Sequence, residues 1–468
     1  MYCYVDNDKR KNGTYFCGKK VISFEEYKNI ASEYITVIAN AHAAEIKEQL
    51  LENGIEKFFC YTPIYEHFLE YFKRKIDSGK IQKIGLYGLS NDTDQVIEAL
   101  RTLDLDTKID CLIASEYDCD DYSNNNYIFY DGLHKCKNIV DCIVISSSWN
   151  NIALGAEANQ LMDNCIVINP YKQIAYYDTD EIVFNPYLAE TADKTEADWN
   201  KTVSDDLNKK SVRAYVNVVS KKVPLFEYLE IETINKCNGV CSFCPVNKLV
   251  DPRPELHMST ELYHKIIDEL ASLNYSGEIS LFSNNEPLLD ERIVELHKYA
   301  REKLPYARIH MFTNGTLFNI ELFKSLIPYL DELIIDNYMQ KLQMIKPVKE
   351  IYDYVSEHPE LSRKVTIVLR KQQEILTSRG GDAPNRTDMP TYEGETCALP
   401  FEQMIIRPDG KVSLCCNDPI GKNTLGDVSK ESLVDIWYGP KFTRVRELLA
   451  LGRENWEHCK HCDTFYLY

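Results

Sequence analysis

The chain has 468 residues, 44% of them hydrophobic, which suffices for two or three domains with sizeable cores. Its net charge of −19 argues against a surface that binds nucleic-acid phosphates. No stretch approaches the ~20 apolar residues that span a membrane. The N-terminal segment MYCYVDND lacks the basic and apolar regions of a signal peptide. We therefore expect a cytoplasmic protein without a membrane or nucleic-acid partner.

Residues 1–170 alternate short apolar strands with helical segments, which predicts a Rossmann-like α/β module with a parallel sheet. Residues 83–88 predict a strand that ends in a glycine turn, and a helix is expected over 91–103. Gly85 and Gly88 supply only a fragment of G-x-G-x-x-G, so a nucleotide site and a simple tight turn are both open interpretations.

An internal repeat is predicted within this module. Residues 2–8 match 110–116 in pattern, and residues 34–40 match 141–147 at nearly the same offset. Such self-similarity favours two copies of one Rossmann-like half. The first copy begins after the point where its glycine-turn strand would lie.

Residues 171–222 are polar and acidic and are interpreted as a connector that contains a short helical stretch. A series of βα units follows over 223–390, which predicts a parallel barrel or part of one, with functional loops at the carboxyl ends of its strands. The predicted strands are 225–234, 278–282, 308–312, 333–336 and 365–369. Residues 391–468 are rich in proline, glycine and cysteine, and Asp409-Gly410 predicts a hairpin turn.

The sixteen cysteines favour metal binding over disulfides in a chain of this length. Eight are scattered over the first third, and most are interpreted as buried apolar residues. Three others, Cys237, Cys241 and Cys244, have C-x₃-C-x₂-C spacing after the first barrel strand. Three thiolates can hold a four-iron cluster with one iron left open, whereas a structural zinc site needs four ligands. A zinc knuckle with a distant fourth ligand, or buried thiols, are the alternatives.

This triplet, with the aromatic Phe243 before its last cysteine, resembles the signature of the radical S-adenosylmethionine (SAM) superfamily. The resemblance implies a partial (β/α)6 barrel, a [4Fe-4S] cluster with an open site, and SAM as cofactor. Asn284, Asn285, Glu286 and Pro287 resemble the G-G-E-P element that binds the SAM amino group, although both glycines are asparagines here. Asn314, in an element that resembles the family's T-N-G, is also expected to contact the cofactor. The same is expected of Asp336 and Arg370, which lie near the ends of the fourth and fifth predicted strands.

The last group of cysteines resembles the SPASM/twitch extension of radical SAM enzymes. The resemblance implies one auxiliary [4Fe-4S] cluster on Cys397, Cys415, Cys459 and Cys462. Cys416 is then spare, and too few cysteines remain for a second auxiliary cluster. A zinc ribbon on the same four thiolates is the alternative.

A fully ligated auxiliary cluster implies electron transfer, and hence dehydrogenation of an alcohol. The expected enzyme is a radical SAM oxidoreductase that forms a 5′-deoxyadenosyl radical and oxidises a sugar, sugar nucleotide or cyclitol. Arg379 corresponds to a substrate-side arginine of twitch dehydrogenases. Flavodoxin or ferredoxin is the expected electron donor, and the oligomeric state is left open.

Three alternatives remain at the level of sequence. An epimerase would use the Cys416 thiol to return a hydrogen atom to the substrate. A peptide-modifying maturase is a second alternative, which the N-terminal α/β pattern disfavours. A non-catalytic iron–sulfur sensor or scaffold is a third, which the retained Glu286 and Thr313-Asn-Gly315 disfavour.

Overall fold

A computed structural model describes residues 2–7, 9–16, 18–38, 43–55, 57–60, 81–90, 92–116, 118, 126–148, 150–162, 165–173, 182–187, 206–386 and 389–465. The chain divides into two compact units, Met1–Ile174 and Ala175–Tyr468, and each is described by itself. Every helix in the described ranges is too short or too polar to cross a membrane.

Two small sheets form the start of the first unit. The strand pairs β1–β3 and β4–β5 are parallel, and β2 pairs antiparallel with β3. The helix Phe24–Lys28 begins at Ser23, whose hydroxyl accepts a hydrogen bond from the Glu26 N–H at 3.2 Å. A second helix is Ala43–Glu52. The strands are β1 (Tyr4–Val5), β2 (Tyr15–Phe16), β3 (Lys19–Ile22), β4 (Thr36–Ile38) and β5 (Phe58–Cys60).

A five-stranded parallel sheet forms the rest of this unit, in the order β10-β9-β6-β7-β8. Counted from β6, this is the 3-2-1-4-5 strand order of a Rossmann-like sheet, so the predicted parallel α/β architecture is confirmed. The helices Thr93–Thr102 and Asn151–Leu161 contribute to its apolar core. The strands are β6 (Ile84–Tyr87), β7 (Ile109–Ile113), β8 (Ile128–Tyr130), β9 (Cys142–Ile145) and β10 (Ile166–Ile168).

The pairings of the first five strands match those of the larger sheet at a nearly constant offset. Tyr4 pairs with Val21 as Cys111 pairs with Ile128, 107 residues further on in both cases. The parallel pair β4–β5 likewise corresponds to β9–β10. The counterpart of the central strand β6 falls before β1 in this alignment. A shared origin of the two halves stays a prediction.

The glycine turn after β6 is closed by the chain's own side chains. Gly88 has φ +80°, and a Cβ there would lie 2.5 Å from Leu154 Cδ1, so the turn requires glycine. The Asp92 carboxylate accepts hydrogen bonds from the backbone N–H and the hydroxyl of Ser148, at 3.0 and 2.5 Å. Because Asp92 occupies a backbone donor of the kind that would hold a phosphate, these contacts favour the tight-turn interpretation.

A nine-stranded sheet organises the second unit, in the order β11-β16-β15-β14-β13-β12-β17-β18-β19. All neighbours from β11 to β17 are parallel, and the last two pairings are antiparallel. The five predicted barrel strands are present, and the connector adds β11 at the β16 edge. The strands are β11 (Val183–Phe184), β12 (Tyr228–Ile231), β13 (Glu278–Ser280), β14 (Arg308–Thr313), β15 (Glu332–Tyr338), β16 (Val365–Arg370), β17 (Gln403–Ile406), β18 (Lys411–Ser413) and β19 (Thr424–Asp427).

Amphipathic helices cover this sheet. In Thr260–Ser272 the buried residues Tyr263, Ile266, Ile267 and Leu270 recur at helical spacing, and the Ser259 hydroxyl caps the first turn. The described helices of the unit are Asp206–Val219, Thr260–Ser272, Ile293–Lys303, Ile320–Leu326, Lys346–Glu357, Leu399–Glu402, Leu433–Trp437 and Pro440–Leu451.

The cysteine-rich end of the chain shares both sheet and core with the barrel strands. β17 pairs parallel with β12, and the predicted hairpin joins β17 to β18 with Gly410 at φ +79°. The Trp437 indole N–H donates to the Pro224 carbonyl at 2.7 Å. One apolar core includes residues from the barrel strands and from the last helices.

Candidate functional site

The cysteine triplet lies on an irregular loop after β12 that is ordered by its own hydrogen bonds. The Gly239 N–H donates to Cys237 Sγ at 3.3 Å. The Asn247 side-chain amide donates to the carbonyls of Cys241 and Cys244 at 3.1 and 2.8 Å. These bonds fix the backbone around all three thiols.

A cavity of about 560 Å³, measured out to its mouth, opens over this loop. Its walls come from the loop itself, from the carboxyl ends of β13, β14 and β15, and from a turn that follows β16. Of the predicted site residues, the structure brings together Cys237, Cys241, Phe243, Cys244, Asn284, Asn285, Glu286, Asn314, Asp336 and Arg379 on the wall of this cavity.

Glu286 is a buried carboxylate held by three donors. It accepts from the Thr313 hydroxyl at 2.6 Å, the Asn314 N–H at 2.8 Å and the Leu288 N–H at 3.1 Å. A carboxylate offers about four acceptor positions, so about one is left for a ligand ammonium. Burial raises the pKa of Glu286 to about 7, and the hydrogen bonds from Thr313 and Asn314 oppose that rise.

Two further polar groups on the wall suit a zwitterionic ligand. Within the described residues, the buried Nδ2 of Asn285 and Oδ1 of Asp336 have no hydrogen-bond partner. An unpaired buried polar atom is costly, so each favours a bound group of complementary polarity. A donor and an acceptor beside three thiols and a buried carboxylate therefore fit SAM on an open iron–sulfur cluster.

The remaining predicted contacts lie beside the cavity. Pro287 is buried and begins a short turn after Glu286. Arg370 does not line the cavity, because its guanidinium pairs with Glu374 at 3.1 Å. The carboxyl of Asp336 has a pKa raised by burial, which the charge of Arg370 opposes. Arg370 therefore acts on the site electrostatically in this structure.

Two acids at the end of β12 were missed in the sequence, the half-buried Glu230 on the strand and the buried Glu232 directly after it. Glu230 and Glu232 alternate with apolar residues just before the cysteine loop. This period of two along a strand could have indicated that both acids share one face of the sheet. Burial raises the pKa of Glu230 to about 8 and that of Glu232 to about 7. The Asn284 N–H donates to Glu232 at 3.0 Å, so β12 is linked to the cavity wall.

The second cysteine group is gathered near the end of the chain. Burial raises the pKa of Cys415, and the nearby thiols of Cys416, Cys459, Cys397 and Cys462 raise it further. All five are buried. Metal ligation requires thiolates, so a cluster would offset this cost of ionisation.

Arg453 was also missed, since nothing in its local sequence distinguishes it from a surface arginine. It is only 1% exposed. Its positive charge opposes the burial that raises the pKa of Cys397 to about 11. A buried cation is therefore built into the second cysteine group.

Three family models match parts of this chain. Residues 231–352 match the Radical SAM superfamily, and residues 397–463 match the SPASM iron-sulfur cluster-binding domain. Residues 1–58 match the model described as C2185-like, N-terminal.

Two curated proteins are similar to parts of this chain. An S-adenosyl-L-methionine-dependent 2-deoxy-scyllo-inosamine dehydrogenase from Niallia circulans is 27% identical over 243 residues, 51% of this chain and 94% of the relative. An Fe-coproporphyrin III synthase from Methanosarcina barkeri (strain Fusaro / DSM 804) is 40% identical over 91 residues, only 19% of this chain and 22% of that protein.

Solved structures show weaker overall likeness. A crystal structure of BtrN in complex with AdoMet and 2-DOIA is 26% identical, with a TM-score of 0.45, and the match covers 51% of this chain and 93% of that one. Streptococcus suis SuiB bound to S-adenosylmethionine is 14% identical, with a TM-score of 0.29 and coverage of 52% and 74%.

Proposed function

For this chain, a radical SAM enzyme with a SPASM domain, we propose that the reaction is oxidation of a secondary alcohol of a cyclitol or related polyol to a ketone. Its cofactors are SAM and iron–sulfur clusters. The similarity to a 2-deoxy-scyllo-inosamine dehydrogenase supports an aminocyclitol or similar ring as the substrate. A flavodoxin or ferredoxin is the proposed electron donor.

One contact carries the dehydrogenase proposal. The Asn284 amide on the cavity wall donates to the Cys416 carbonyl at 3.0 Å, and Cys416 follows Cys415, a proposed ligand of the auxiliary cluster. An electron acceptor would thus lie next to the substrate cavity. A carbon radical formed in that cavity could lose its electron without leaving the site.

When bound, SAM and the reduced cluster supply the 5′-deoxyadenosyl radical that removes a hydrogen atom from the carbinol carbon. Arg379 on the cavity wall stabilises negative charge on the alcohol oxygen as its proton leaves. The Asp336 carboxylate is the acceptor proposed for that proton. Cys397, Cys415, Cys459 and Cys462 would hold an auxiliary cluster, which could accept the remaining electron and so complete a two-electron oxidation to the ketone.

The surroundings of Cys416 favour oxidation over epimerisation. An epimerase would need its thiol at the substrate, but Cys416 does not line the cavity. Its Sγ is instead approached by the Asn417 side-chain amide at 3.8 Å. We therefore give the Cys416 thiol no role in hydrogen-atom return.

Anaerobic turnover tests the proposal. The reconstituted protein, SAM and dithionite would be incubated with 2-deoxy-scyllo-inosamine, inositols, nucleotide sugars or a peptide panel. We expect a polyol to stimulate 5′-deoxyadenosine formation. A ketone two mass units lighter than this polyol should form in an amount equal to the 5′-deoxyadenosine. Stimulation by peptides alone would overturn the proposal in favour of a maturase. A product with the mass of the substrate, in which one carbon-bound hydrogen has been replaced by a hydrogen from the solvent, would indicate an epimerase.

A further inference from the structure

We propose that Asn284 is a positioning residue that fixes Arg379 and the auxiliary cysteine strand relative to one another. This inference rests on the proposed function for its catalytic meaning. Asn284 stands where the resembled G-G-E-P element has a glycine, so its side chain is an addition to that pattern. The chain uses this added amide to join two parts of the site.

The two ends of the Asn284 amide face different partners. Nδ2 donates to the Cys416 carbonyl at 3.0 Å and to the Ser283 hydroxyl at 3.2 Å. Oδ1 accepts from Arg379 Nη1 at 3.5 Å. A carboxamide offers a donor and an acceptor together, so neither glycine nor alanine can make this bridge.

The position of Asn284 is itself fixed from β12. Its backbone N–H donates to the buried Glu232 carboxylate at 3.0 Å. Glu232 directly follows β12, so the backbone of Asn284 is held from the end of a central strand, and the bridge has a fixed base.

The backbone of Cys416 is held at its N–H as well as at its carbonyl. The Cys416 N–H donates to Gln403 Oε1 at 3.1 Å, and Gln403 Nε2 donates to Glu230 at 2.8 Å. Gln403 is fully buried on β17. Gln403 and Asn284 thus hold the N–H and the C=O of one residue. Loss of the Asn284 side chain would remove one hydrogen bond from the Cys416 carbonyl and one from Arg379 at the same time.

Asn285 provides a matched control next in the chain. It has the same amide and also replaces a glycine of the resembled element, and it lines the same cavity. Its Oδ1 accepts from the Ser283 N–H at 3.1 Å, and its Nδ2 has no partner among the described residues. It therefore lacks the bridge to Cys416.

The first test is a redox titration of the auxiliary cluster alone. The full chain would carry Cys237→Ala, Cys241→Ala and Cys244→Ala, with Asn284→Gly, Asn284→Gln or Asn285→Gly added. We expect N284G to shift the midpoint potential and alter the electron paramagnetic resonance spectrum, because the residue after the proposed ligand Cys415 would lose the hydrogen bond at its carbonyl. We expect N284Q to restore both in part and N285G to leave both unchanged. An unchanged potential and spectrum in N284G would overturn the inference.

The second test measures coupling in the chain with all its cysteines, with 2-deoxy-scyllo-inosamine as the probe. N284G should form several-fold more 5′-deoxyadenosine per ketone than the native chain, while its Kd for SAM stays within about twofold. A native ratio in N284G would contradict the positioning role. If the native chain does not oxidise the probe, that result counts against the proposed function, and the redox titration still decides the role of Asn284.

Discussion

The guanidinium carbon of Arg453 lies 3.9 Å from the centre of the Phe465 ring. Its nitrogens donate to the carbonyls of Thr396 at 2.9 Å, Cys462 at 2.5 Å and Thr464 at 2.5 Å. One of these carbonyls belongs to Cys462, a proposed cluster ligand. Another belongs to Thr396, the residue before the proposed ligand Cys397. Arg453 thus holds together chain segments that are about 70 residues apart, and its charge lies near the thiols of Cys397 and Cys459.

We predict that Arg453→Met abolishes loading of the auxiliary cluster and lowers stability by about 3–5 kcal/mol, because several buried carbonyls lose their donors. Arg453→Lys should recover only part of this, since a lysine cannot reproduce the planar fork. Iron content and thermal unfolding would measure both effects. Arg444→Met, at an exposed position of the same helical region, is the control and should behave like the native chain.

Iron and sulfide counts would test the two cysteine groups. Cys237→Ala and Cys397→Ala should each remove about four irons, as expected for two separate [4Fe-4S] clusters. Cys416→Ala should retain the full complement, because this thiol is predicted to be spare. Zinc in place of iron at the second group would refute the assignment of an auxiliary cluster there.

Glu286→Gln should weaken SAM binding by at least about tenfold, because a neutral amide loses the charge that pairs with the ligand ammonium, a difference of about 1.5–3 kcal/mol. Equilibrium binding to the reconstituted protein would measure this change. Glu295→Gln, on the exposed face of the helix Ile293–Lys303, is the control. Equal affinity in the two variants would remove Glu286 from the SAM site.

His297 predicts an acid-sensitive fold. Burial lowers its pKa to about 4, the carbonyl of Ile293 opposes that shift, and the charge of Arg301 adds to it. The unfolded chain binds a proton near pH 6.5, whereas the folded chain does not until about pH 4. The contribution of His297 is therefore fully present above pH ~6.5 and is lost as the pH falls toward 4, by on the order of 3 kcal/mol.

The corresponding experiment compares thermal unfolding at pH 7 and pH 5 in His297→Phe and in the native chain. The variant should lose less stability on acidification. His257→Phe, an exposed position, should keep the native pH dependence. A native-like pH dependence in His297→Phe would show that this histidine does not control it.

The sequence predicts those parts of the fold that depend on residues close together in the chain, namely the barrel strands, one hairpin and the cysteine loop. The barrel strands were predicted because long apolar runs alternate with amphipathic helices, and Asp409-Gly410 foretold its hairpin. The cysteine spacing likewise located the cavity, since all three thiols of the triplet line it. These features depend on residues close together in the chain.

Features that depend on distant partners were not foreseen. Val183–Phe184 is too short and too polar in its surroundings to predict a strand, and it pairs with β16 far along the chain. Arg453 became significant only when folding brought it to the cysteines.

The strand β12 is hydrogen-bonded on one side to β13 and on the other to β17, so the strand before Cys237 and the strand before Cys415 lie side by side in one sheet. A substitution that distorted β12 would therefore displace both cysteine-bearing regions together, and we expect these regions to unfold as one cooperative unit.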